Sequence, residues 1–215
     1  FARSVAEPDV PLIVEGTARE KQISFGGRTY LGQFAGTYLV FGGPEGLMLI
    51  DQHAAHERIL LERLKAASKG RAISQPLLMP EVVSLSPSQI ALFEGALQTL
   101  GDLGLEIEIF GRDTVVVKSL PVSLPEVSPR EIVYDLADQL AGEQAAPSLE
   151  ERREKIMASL ACRAAIKANA VLAAEEVAAL CRDLEQTPYN ATCPHGRPVS
   201  VQFSLYEIER LFKRK

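Results

Sequence analysis

Asp51-Gln52-His53-Ala54-Ala55-His56-Glu57, followed by Glu62, sets imidazoles and carboxylates directly after an apolar, strand-like run, Gly46-Leu47-Met48-Leu49-Ile50. Clusters of these types bind metal ions or move protons. A second constellation far downstream, Cys193-Pro194-His195-Gly196-Arg197-Pro198, adds a thiol and another imidazole. It supplies the soft donor that the first cluster lacks, so the two segments read as halves of one metal site.

Spacing sorts these residues. His53 and Glu57 are four apart and share a helix face, which Leu60 and Leu64 continue inward. At about 100° per residue Glu62 lies roughly 140° around from Glu57, so it reads as a supporting or surface group. His56, three after His53, falls to its other side and is a poorer ligand than Glu57. Asp51 either caps the first helical turn or binds metal, and both roles stay open. Cys193 and His195 flank a proline; in an extended segment they point the same way and can converge on one ion. Arg197 beside them can hold a carboxylate or a phosphate. Cys162, among alanines, reads by itself as a small hydrophobe, and Cys181 as a buried residue outside the site.

The elements that must position these groups follow from hydrophobic period and punctuation. Residues 11–15, 21–25, 28–34, 37–41 and 46–50 are short β-rich runs separated by glycines, which predicts an antiparallel sheet. An amphipathic helix is expected from His53 to about Lys69, ended by Gly70. The middle third predicts a strand over 77–85, one helix over 86–100, a hairpin over 105–110 and 114–119, and a helix over 129–140. This block has breaks on both sides and reads as an inserted subdomain. Ser148 with Glu151 signals a long helix reaching about Ala170, and a second helix covers about 174–186. A strand over 199–203 and a short helix capped by Ser204 and Glu207 close the chain.

A chain of 215 residues with 47% hydrophobic and 24% charged residues can bury a core as one domain or two small ones. No run approaches the ~18 apolar residues of a membrane helix, and three cysteines cannot close a disulfide framework. A cytoplasmic location is therefore expected, with residues 1–18 as a linker remnant. The net charge of −5 argues against an autonomous nucleic-acid binder. Gln75-Pro76-Leu77-Leu78-Met79-Pro80 looks like a short docking peptide, although a strand whose leucines face the core accounts for it equally well.

Taken together, these motifs resemble the C-terminal domain of MutL-type DNA mismatch-repair proteins of the endonuclease-bearing kind. Asp51-Gln52-His53-Ala54, then Glu57 and Glu62, is similar to that family's nuclease signature. Ala161-Cys162-Arg163, Cys193-Pro194-His195-Gly196-Arg197-Pro198 and Phe212-Lys213-Arg214 resemble its further motifs. The resemblance implies an α+β fold with a discontinuous antiparallel-sheet dimerisation subdomain with helices (19–72 and 156–215). A smaller α/β regulatory subdomain (73–155) would be inserted in it. It raises Cys162 to a ligand beside His53, Glu57, Cys193 and His195, with Asp51 close by and Arg163, Arg197 and Glu62 supporting. It further implies a homodimer, and docking of Gln75, Leu78 and Pro80 on the replicative sliding clamp.

The expected function is a metal-dependent endonuclease, with Asp51, His53 and Glu57 catalytic, that nicks one strand of duplex DNA in mismatch repair near the nucleoid. Zinc suits the thiolates, and manganese or magnesium the carboxylates. Weak cutting and weak DNA binding are expected without the family's N-terminal ATPase module, of which this sequence carries no sign. The rival expectation is a non-catalytic, zinc-stabilised dimerisation and clamp-binding module. A zinc hydrolase for a small substrate is a third, disfavoured because nothing predicts an enclosed apolar pocket.

Overall fold

The computed structural model describes residues 13–15, 23–69, 72–124, 127–142, 148–167 and 169–214. Helices and antiparallel sheets segregate into an α+β fold. The chain forms two compact units, one of residues 1–56 with 166–215 and the other of residues 57–165. The sequence breakpoints near 72 and 156 differ from these. The difference arises because Leu60, Leu61 and Leu64 before the insert, and Ile156 to Ala165 after it, are buried in the core of the second unit.

The first unit is built on a six-stranded antiparallel sheet. It comprises β1 (Ile13–Glu15), β2 (Ser24–Phe25), β3 (Arg28–Phe34), β4 (Tyr38–Gly43), β5 (Gly46–Asp51) and β9 (Ser200–Ser204). The order is β1-β3-β4-β5-β9, with β2 also on β3. Gly26 and Gly27 both have positive φ (54° and 74°), which a two-residue turn between right-twisted strands requires. Leu39, Phe41, Met48 and Ile50 alternate inward, and Phe25 and Tyr30 pack their rings on Phe41 at 5.9 and 5.5 Å. β9 joins β5 in a register that pairs Leu47 with Phe203 and Leu49 with Val201. Gly46 allows that approach: at φ +129° its Cβ would stand 2.0 Å from the Phe203 carbonyl oxygen. Two helices complete this unit, α6 (Ala174–Gln186) and α7 (Leu205–Leu211); α6 buries Val177, Leu180, Cys181 and Leu184 at helical spacing.

Helix α1 (Gln52–Ser68) is continuous across the boundary, which falls between His56 and Glu57. The helix stop expected at Gly70 lies outside the described residues. The second unit holds a three-stranded sheet ordered β6-β8-β7, made of β6 (Ser74–Ser84), β7 (Glu106–Phe110) and β8 (Thr114–Pro121). Val115 and Val117 of the central strand meet Phe93, Leu100, Leu136 and Leu160 in one core. The single helix expected over 86–100 is two, α2 (Pro87–Glu94) and α3 (Leu97–Asp102), broken at Gly95. α4 (Pro129–Ala141) starts on a Ser128 cap. α5 (Leu149–Ala164) starts on the Ser148–Glu151 capping box and stops at Ala164, short of Ala170.

Candidate metal centre

The start of α1 is fixed by its own polar side chains. Asp51 Oδ1 accepts the Ala54 N–H at 3.0 Å, the N-cap role, and its backbone N–H donates to the Val199 carbonyl at 2.9 Å. Gln52 is fully buried and donates to the carbonyls of Gly36 (2.7 Å) and Ala170 (2.9 Å), while its Oε1 accepts from Gln33. Gln33 also donates to the Ala170 carbonyl at 2.8 Å and accepts the Leu172 N–H at 3.2 Å. One turn on, the two histidines grip the backbone of a single residue. His53 Nδ1–H donates to the Ile166 carbonyl at 2.8 Å, and the Ile166 N–H donates to His56 Nδ1 at 2.9 Å. A carbonyl cannot donate and an N–H cannot accept, so His53 keeps its lone pair on Nε2 and His56 keeps its on Nδ1.

Glu57 follows His53 by one turn of α1. In the second unit the Glu57 carboxylate, 1% exposed, faces the half-buried Cys162 thiol of α5, with donor atoms within 4.8 Å. Burial first, then the charge and hydrogen bond of Glu57, push the Cys162 thiol up to about 11. The thiol thus keeps its proton against the carboxylate, and a bound cation would displace that proton. Glu62 points elsewhere: it pairs with Arg58 at 3.0 Å and lies 4.0 Å from Lys65. Arg163 makes a two-pronged bond to Asp135 and reaches Glu131 at 3.4 Å, clamping α5 to α4. Those carboxylates hold its guanidinium charge above the ordinary arginine range.

In the first unit, Cys193 and His195 present donor atoms within 4.8 Å of each other. The backbone is not the extended segment that their spacing suggested. Cys193 N–H donates to the Arg197 carbonyl at 2.8 Å and Gly196 N–H to the Cys193 carbonyl at 3.0 Å, closing a tight turn with Gly196 at φ +79°. Cys193 is buried and His195 exposed. Arg197 is exposed and serves the turn through its carbonyl. Cys181 is buried, and its thiol is pushed up to about 12 by burial first and Glu185 second. The segment of residues 75–80 lies on β6. Gln75 pairs with Leu120, and the register shifts between Pro76 and Glu81, turning Leu78 and Pro80 to solvent. Leu77 packs on the core, but Leu78 does not face it.

Gln33, Gln52 and the division of labour between the histidines escaped the sequence reading. Each of these side chains bonds a backbone group of the 166–170 stretch, more than 100 positions away, and backbone groups leave no residue-type signal.

Fold and donors together define an α+β chain with an open sheet face and a donor set of imidazole, carboxylate and thiol that suits zinc. Residues 31–172 match the family model described as the MutL C terminal dimerisation domain, and the chain belongs to that family. It is 46% identical over 192 residues to the DNA mismatch repair protein MutL of Syntrophus aciditrophicus, covering 89% of this chain and 31% of that protein. The MutL of Sphingopyxis alaskensis is 44% identical over 185 residues, 86% of this chain and 31% of the relative. That of Symbiobacterium thermophilum is 42% identical over 188 residues, 86% and 30%. This chain thus spans under a third of the length of these relatives.

Proposed function

We propose that this chain acts in DNA mismatch repair as the homodimeric, metal-dependent endonuclease portion of a MutL protein, nicking one strand of duplex DNA. The observation that carries the reading is the buried Glu57 carboxylate, hydrogen-bonded to the Cys162 thiol and one helical turn from His53. His53, Glu57, Cys162, Cys193 and His195 would hold zinc, and Asp51 with Glu57 would serve manganese or magnesium. A bound cation would supply Lewis acidity toward a phosphodiester oxygen and activation of water. The residues of this chain orient the donors: Ile166 fixes the His53 ring, Asp51 fixes the helix start, and the Cys193–Arg197 turn fixes the second thiol.

The sheet of the first unit supports dimerisation. Leu47, Val201, Phe203, Phe34 and Tyr38 are exposed apolar residues on its strands, a face that a second copy can cover by two-fold symmetry. Leu78 and Pro80, turned out beside Gln75, support docking on the replicative sliding clamp. Duplex DNA would bind weakly to this acidic chain alone, leaving the clamp and an N-terminal ATPase module to hold it at the nucleoid. A second reading, a non-catalytic zinc-stabilised dimerisation and clamp-binding module, draws on the Asp51 carboxylate, already engaged as a helix cap.

Elemental analysis of purified protein together with nicking of supercoiled plasmid in manganese separates the readings. The endonuclease reading expects bound zinc, cutting by the full-length protein, and loss of cutting in Glu57→Gln and Asp51→Asn variants that still fold. Intact plasmid with every divalent ion, alongside stoichiometric zinc, would establish the non-catalytic module instead.

A further inference from the structure

His56 lies outside the proposed ligand set, yet it shares residue Ile166 with His53. The two side chains are three residues apart on one face of α1 and take the two backbone groups of that residue: the N–H goes to His56 Nδ1, and the carbonyl takes the proton of His53 Nδ1. These groups lie in successive peptide planes that meet at the Ile166 Cα, so with both held only coupled turns about the φ and ψ of one residue are left to it. The same stretch is fastened again at Ala170 and Leu172 by Gln52 and Gln33. Ile166 therefore cannot move away from α1 without breaking bonds on both sides of its Cα.

We infer that His56 is a positioning residue for His53: by accepting the Ile166 N–H it holds that residue where its carbonyl meets His53 Nδ1, which keeps that nitrogen protonated and Nε2 available to a metal ion. The inference rests on the metal-binding reading above for its purpose but not for its test. The outer hydrogen bond of a ligating imidazole commonly changes metal affinity about 10- to 100-fold when lost. Here that bond goes to a carbonyl, and the residue that carries it is held through its N–H by another imidazole.

The test compares His56→Leu, which cannot accept the Ile166 N–H, with His56→Gln, whose side-chain oxygen can. Long-range 1H–15N spectra of the metal-free chain report the His53 tautomer directly. The wild type is expected as the Nδ1–H form; His56→Leu should populate the Nε2–H form, and His56→Gln should restore the first. Zinc affinity, read by competition with a chromogenic chelator, should fall at least about tenfold in His56→Leu and recover in His56→Gln. An unchanged His53 tautomer in His56→Leu would overturn the inference, as would Gln and Leu variants that behave alike. Were the wild type to take up no zinc, the metal reading would fail, while the tautomer comparison would still decide the role of His56.

Discussion

Single residues carry unequal weight around α1. Gln52 satisfies two carbonyls and one amide from a fully buried position, so Gln52→Ala leaves several buried polar groups without partners. It is expected to cost about 2–4 kcal/mol in urea unfolding, more than truncating an exposed polar residue. At Gly46, Gly46→Ala must displace the Phe203 carbonyl and adopt a disfavoured φ, so a loss of about 2–4 kcal/mol is expected by the same measurement. Cys162 gives a pH prediction. With its thiol pushed up to about 11, alkylation by iodoacetamide at this residue should keep rising about tenfold per pH unit beyond about pH 9, where an ordinary thiol levels off. A plateau near pH 9, read by mass spectrometry of the Cys162 peptide, would contradict the buried contact with Glu57.

Elements differ in how far their own sequence determined them. β3 and α6 run over the residues that alternation and helical period mark out, because each carries its own face pattern. α5 does not. Its sequence from Cys162 to Ala170 is rich in alanine and favours continuation, but Ala165 is extended at ψ 151°. The N–H that would extend the helix, that of Ile166, is given instead to the His56 side chain of α1. Tertiary hydrogen bonds thus override local propensity at the residue where the chain passes from one unit to the other. The clamp between α4 and α5 has a separable contribution. A double-mutant cycle of Arg163→Lys with Asp135→Asn should give a coupling of about 1 kcal/mol, since the pair is two-pronged but partly exposed.

For the whole molecule, the exposed apolar face of the first unit sets the expected assembly. Placing a charge at its centre, with Phe203→Glu or Leu47→Glu, should convert a dimer to monomer in sedimentation velocity without shifting the monomer's melting temperature by more than a few degrees. A wild type that sediments as a monomer at tens of micromolar would remove the sheet face from the proposal. The second unit keeps its own core, with Leu60 and Leu64 of α1 and Leu160 of α5 inside it, whereas the expected bounds near 72 and 156 assigned these residues to the other subdomain.

Residue types and spacing alone determined the glycine-separated strand runs of the first sheet, the face shared by His53 and Glu57, the capping boxes and the donor inventory, because each of these depends on neighbours within a few positions. Only the tertiary structure decided that Glu57 meets Cys162, what Gln33 and Gln52 hold, and which ring nitrogen each histidine offers. For the glutamines and histidines the outcome depends on backbone amides and carbonyls brought in from distant segments. Every residue carries the same amide and carbonyl, so their placement cannot be read until the chain has folded.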